Sequence, residues 1–212
     1  MAYRFSNFTN IVALRRTKQS VISLTPSRQL EAYWTSLRDG GDVPMRTRID
    51  PRGIANILPH AFMIERLSPS VASIRLAGQH LNQLVDGEAR GLPFGLIFAP
   101  KARSSVATAI NAVLDTPAIA QFDLRSTGEF GHMPMRARIT LLPLRNPAKL
   151  VDRAIGVFVP EDAAQGRALK FELEDFDLRP VFGPAPMERP DPVEIAVMAQ
   201  IGQSRPRLRI VK

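Results

Sequence analysis

The stretch Ala61–Phe94, AFMIERLSPSVASIRLAGQHLNQLVDGEARGLPF, decides how the rest of the chain is read. Ser68-Pro69-Ser70 is a tight turn, because proline pre-sets φ at its second position and the flanking serines bond local backbone. On either side apolar residues recur at every second position. Phe62 and Ile64 alternate with Met63 and Glu65, and Ile74 and Leu76 alternate with Ser73 and Arg75. That is the period of a strand, so the segment predicts a β-hairpin with Phe62, Ile64, Ile74 and Leu76 on one side. Gly78 breaks the second strand. Leu81, Leu84 and Val85 then fall on one face of a short helix that Asp86-Gly87 ends.

Working outward, Ser27 can cap a helix from Arg28 to about Arg38, with Leu30, Trp34 and Leu37 on one face and Gly40-Gly41 ending it. Such a helix packs on the sheet or pairs with a second copy. We expect packing with partial dimer contact through Trp34, Leu30 and Leu37. Asp50-Pro51 opens a second short helix that runs to about Ile57. Downstream, Pro100 starts a longer helix from Lys101 to about Leu114, followed by strands at Ala118–Arg125, Gly131–Leu144 and Leu150–Val159. The order strand, strand, helices and three strands predicts an α+β fold: a five-stranded antiparallel sheet with helices on one face, plus the N-terminal helix. Residues 28–160 would form this domain. Residues 1–27 read as a basic extension with a short strand at Ser20–Leu24. Residues 161–212 read as an irregular extension, acidic in FELEDFDLRP (Phe171–Pro180) and then proline-rich, with a short helix near Val193–Ile201 before a basic tail.

Two stretches resemble a known family. RLAG at Arg75–Gly78, the short helix after it, and DGEARGLPF at Asp86–Phe94 resemble the hairpin, helix and glycine turn of a PAS domain. Glu31–Glu65, with its central Trp34, a Pro…Asp-Pro segment and Leu58-Pro59 before the first strand, is similar to the opening of a PAS-like branch found in alphaproteobacterial proteins. The likeness covers roughly residues 28 to 160 and rests on scattered positions. It implies a sensory or interaction module. It implies no particular ligand, because that branch shares no cofactor-binding residue.

Composition narrows the function. The chain has 212 residues, 45% hydrophobic and 23% charged, enough for one well-buried core with extended ends. With no cysteine there is no disulfide, thiol nucleophile, cysteine-bound zinc, covalent haem or cysteine-based flavin photochemistry. No segment approaches the run of about 18 apolar residues that a membrane helix needs. Ile11–Leu14 is also shorter than a signal peptide's apolar region, so a cytoplasmic location is expected. The net charge of +8 gathers at the ends, for no acidic residue precedes Glu31 and none follows Glu194. Basic arms of this kind bind nucleic acid or anionic surfaces, or are simply solvated.

Three constellations remain for chemistry. Arg75, Arg125, Arg136 and Arg138, with Gln121 and Asp123, would project from the sheet face away from the helices, where guanidinium groups bind phosphate or carboxylate. The competing reading pairs them with acids, and Glu172–Asp175 is the obvious partner. The second is an apolar hollow between sheet and helices, lined by Phe62, Leu76, Phe94, Phe122 and Met135, with Arg75, Gln79 and Asn82 at its mouth. These side chains could equally fill the space themselves. The third is the histidines, His60, His80 and His132, of which His80 could in principle ligate haem iron. No haem or flavin signature, metal-ligand spacing, serine elbow or phosphate loop is present, so no cofactor is assigned and no enzyme is expected. The first reading is a non-catalytic PAS-like sensory or adaptor module, a cytoplasmic homodimer that binds a small ligand or a signalling partner and acts through its flanking helix and tails. The alternative is a nucleic-acid or anionic-surface binding protein that uses its basic termini on a dimerising core.

Overall fold

A computed structural model of the chain describes residues 22–127, 134–161 and 170–182. The hairpin forms as β1 (Ala61–Ser68) and β2 (Val71–Ala77), joined through Pro69 and Ser70. Helix α2 (Gln79–Val85) follows and ends at Asp86, which takes the left-handed conformation. Two single turns at Phe94–Ile97 and Pro100–Ala102 lead into α3 (Arg103–Asp115). Strands β3 (Ala118–Ser126), β4 (Arg136–Arg145) and β5 (Val151–Pro160) come next. A further strand, β6 (Phe171–Pro180), lies in the stretch expected to be irregular. The α+β class therefore stands with a six-stranded antiparallel sheet, in the order β2-β1-β5-β4-β3-β6.

The sixth strand escapes a strict alternation count because of a bulge. Asp123 faces Asp175 while the next residue, Leu124, faces Leu173, so Glu174 is an extra residue on the β6 side. The bulge shifts the phase by one. Leu173 on one side of it, and Phe176 and Leu178 on the other, thereby all pack against the same core.

The two faces carry separate cores. Phe62, Ile64, Ile74, Phe122, Leu124, Ile139 and Phe158 meet α2 and α3 on one face. The other face brings Met63, Leu142, Leu144, Ile155 and Val157 against Leu30 and Trp34 of α1 (Thr25–Ser36) and against the 3-10 turns of Pro51–Ile57. Helices α2 and α3 thus lie on one face, and the N-terminal helix α1 packs on the other. The reason is local: Leu30 and Trp34 are fully buried in the chain itself. Trp34 Nε1 donates to the Pro143 carbonyl at 2.8 Å. Pro143 lies past the last β3–β4 pair, Ala120 with Leu141, where no β3 residue pairs with it.

Ser27 does not cap this helix, which starts earlier, at Thr25 with Pro26 in its first turn. Its hydroxyl is buried and accepts from Thr140 Oγ1 at 2.9 Å, tying α1 to β4. Asp50 behaves as expected, accepting from the Arg52 amide at 2.9 Å. Among the described residues no helix is long and apolar enough to cross a membrane. The expected helix near 193–201, the first residues of 131–144 and the basic ends lie outside the described residues, whereas residues 22–24 of the strand expected at 20–24 are described and form no strand. The described residues through Val181 form one compact unit.

Candidate functional site

The hollow between the sheet and α2/α3 is closed by its own aromatic side chains. Phe62 stacks on Phe94 with ring centroids 5.3 Å apart, and Phe94 meets Phe98 edge-on at 5.4 Å. Phe62 lies across β5 at its cross-strand partner Gly156, where a Cβ would stand only 2.6 Å from the ring. Glycine is needed there so that the ring can lie flat over the sheet. Phe122 is buried in the same core, and Met135 packs half-buried at its margin.

Leu76 is corrected. It was expected on the Ile74 side, but Met63 faces Leu76 and Ile64 faces Ile74, which leaves Arg75 as the extra residue of a bulge. The shift turns Leu76 to the opposite face at the sheet edge, where it is 49% exposed. The residues expected at the mouth also separate. Arg75 pairs with Glu65, which Arg153 also meets at 2.7 Å. Burial raises the Glu65 pKa, but the hydrogen bonds from Arg75 and Arg153 outweigh it and hold the carboxyl below its ordinary value. Gln79 is exposed at the start of α2. Asn82 closes the next loop, its Oδ1 accepting from the Ala89 amide at 3.0 Å. Leu37 is half-buried at the end of α1.

The arginine face carries its own counter-charges. Asp123 and Arg138 stand directly opposite and form a two-point pair at 2.6 and 3.0 Å. Arg125 and Arg136 also stand opposite one another, and Glu174, the bulged residue of β6, lies 3.6 and 3.7 Å from them. Glu172 pairs with Lys101 at 2.6 Å. The acids of β6 thus offset like charges that would otherwise repel across the strands.

His60 and His80 stack with ring centroids 4.2 Å apart. His60 Nδ1 donates to the Phe158 carbonyl at 3.0 Å. His80 Nδ1 is buried and has no hydrogen-bond partner among the described residues. Burial, and then the neighbouring His60, push the His80 pKa below its ordinary 6.5. His132 lies outside the described residues. Among the described residues no group of three or more His, Asp or Glu side chains could hold a metal ion.

An open site does exist, where none was expected. A cleft of about 290 Å³ lies between the hairpin turn and α3. Ala72, Val106, Ala107 and Ile110 give it apolar walls, and Leu96 and Val71 stand at it partly exposed. Asn111 Nδ2 donates to the Pro69 carbonyl at 2.7 Å and so ties α3 to the turn. Arg66 reaches the Asp115 carboxylate at 2.5 Å. Among the described residues Arg103 makes a single bond, Nε to the Phe98 carbonyl at 3.3 Å. The lining comes from the hairpin, the Pro93–Leu96 stretch and α3, so no short motif announces it. The one available signal was Asn111, a polar residue beside the apolar run Val106, Ile110 and Val113.

An antiparallel sheet with short helices after a leading hairpin, and a longer helix before the last strands, is the architecture of a PAS-like α+β fold. The family model for the PAS domain matches residues 22–159, and the chain belongs to the PAS domain family. A search of curated proteins finds no match.

Proposed function

We propose that this PAS domain is a non-catalytic sensory or adaptor module that binds a small ligand or a protein partner and passes the event on through its flanking segments. The observation that carries this reading is the contrast between the two spaces beside α3. The phenylalanine hollow is filled, whereas the hairpin–α3 cleft stays open and reaches Ala72, Val106 and Ile110 of the same core. An occupant of the cleft would touch the packing of α3 on the sheet directly, which is how binding biases one packing over another. Leu67, Val71 and Leu76 leave apolar surface exposed on the hairpin, which supports a homodimer or a signalling partner. The proposed setting is the cytoplasm.

Native mass spectrometry of the protein purified from its own cells, with an absorption spectrum, tests the reading. A bound small molecule or a specific protein partner is the expected result. A bare chain that captures neither would overturn it. A second reading, binding of nucleic acid or an anionic surface, is favoured by the basic residues Arg15, Arg16, Lys18, Arg205, Arg207 and Arg209. Binding of that kind would weaken steeply with salt. Removing residues 1–18 and 205–212 would abolish it while leaving a sensor intact.

A further inference from the structure

The unassigned chemistry in this molecule sits in the cleft. Among the described residues two guanidinium groups, Arg66 and Arg103, belong to its lining, and no carboxylate does. They are not equivalent. Arg66 has Asp115 as its counter-ion, and Asn111 is engaged with the turn. Among the described residues Arg103 meets no carboxylate, and the ends of its guanidinium fork make no bond. The first turn of α3, where Arg103 stands, contains no acidic residue and no side-chain cap. The positive end of that helix therefore adds to the cation. Beside this charge run the apolar side chains of Ala72, Val106 and Ile110, continuous with the buried core.

We propose that this cleft binds a small amphipathic carboxylate, its acid paired two-point with the free edge of Arg103 and its apolar chain laid along Ala72, Val106, Ala107 and Ile110. The inference rests on the ligand-binding reading above and adds the class of ligand. Three features select that class. A volume near 290 Å³ lies at the small end of ligand sites, so the occupant is a short molecule and not a peptide helix. A planar guanidinium fork matches a carboxylate at two points. A single unpaired guanidinium beside apolar walls suits one negative charge on an apolar body, whereas a phosphate or a dicarboxylate would call for more donors.

The test uses the full chain, labelled with nitrogen-15, and sodium octanoate as the probe. Octanol and octylamine serve as neutral and cationic matches, and acetate as the charge alone. Octanoate is expected to saturate shifts in the amides of Ser70–Ala72, Leu96 and Val106–Asn111. Octanol should bind about tenfold more weakly, the loss of one charge-assisted pair. Octylamine and acetate should leave these amides unmoved. Arg103→Gln should weaken octanoate by about the same tenfold factor without moving octanol, with Arg103→Lys recovering part of the loss. Ala107→Phe, which fills the cleft and keeps the charge, should abolish both. The proposal is overturned by octanoate shifts that map elsewhere, by equal binding of octanol, or by an unchanged Arg103→Gln variant. Equal binding of octanol would sink the carboxylate assignment and leave a ligand-binding module standing. The loss of that broader reading is seen separately, in a bare native mass with no partner.

Discussion

The two edge strands of the sheet carry the same irregularity with opposite results. In β2 the extra residue is Arg75, and the phase shift turns Leu76 outward. In β6 the extra residue is Glu174, and the phase shift turns Leu173, Phe176 and Leu178 inward. In both strands a charged residue stands at the bulge and finds an opposite charge: Glu65 for Arg75, Arg125 and Arg136 for Glu174. The rest of each edge differs. Beyond its hydrogen bonds to the sheet, β2 is held by the burial of Ala72 and Ile74, by charge, and by the Gly91–Leu92 segment, whose backbone bonds to Ile74 at 2.7 and 2.9 Å. β6 is held by apolar burial that begins at Phe171, fully buried and edge-on to Phe158 at 5.7 Å. A bulge is therefore a phase shift whose outcome depends on what lies beneath the strand. Where a core is waiting it completes the core, and elsewhere it exposes a side chain while helping to blunt the edge.

The comparison can be broken most strongly at β6. Phe171→Ala should cost about 3–5 kcal/mol in urea unfolding, the usual loss for a buried phenylalanine. A variant that keeps wild-type stability would show that the sixth strand is not part of the folded core. At the opposite edge, Glu65→Gln removes the acceptor shared by Arg75 and Arg153 and should cost about 1–3 kcal/mol at neutral pH. The loss should depend on pH, because the folded carboxyl lies below its ordinary 4.5. The wild-type advantage is present above that value and vanishes as pH falls through the folded value. A difference between the two proteins that persists in acid would contradict the ion-pair account.

A smaller effect belongs to His80, at the start of the helix that follows β2. Its folded pKa lies below 6.5, so the unfolded chain takes up the proton first. The wild-type protein should lose stability as pH falls from about 6.5 through the folded value, and His80→Gln should flatten that slope. Parallel slopes in thermal melts of the two proteins would refute it. Smallest of all is Leu76→Ser, expected to change stability by no more than about 0.5 kcal/mol because the side chain is half exposed. A large loss there would mean that a second chain covers the β2 edge, detectable as dissociation on dilution.

Where alternation ran unbroken, the residues announced their places. Phe62, Ile64 and Ile74 lie inside as expected, and α3 presents Val106, Ile110, Val113 and Leu114 to the core. The helix around Trp34 was legible too, although Ser27 proved to be a tie to Thr140 and not a cap. Each bulge broke the alternation count, and so Leu76 and the whole of β6 were misplaced by pattern alone. The cleft was illegible for another reason. Arg66, Ala72, Leu96 and Arg103 stand on four separate elements, and only the fold puts them around one space. Whether an arginine is paired also depends on that folding. Arg138 and Arg103 look alike in sequence, yet one faces Asp123 and the other faces no acid among the described residues.

The chain contains one tryptophan, and its indole N–H is bonded to the Pro143 carbonyl on the face opposite the cleft. The protein therefore carries an intrinsic optical gauge of whether its leading helix is seated. Emission from a dry, hydrogen-bonded indole lies to the blue of emission from a wetted one. A titrant added at α3 that shifts this emission to the red would reveal that the two sides of the sheet communicate, with no label attached and no site altered.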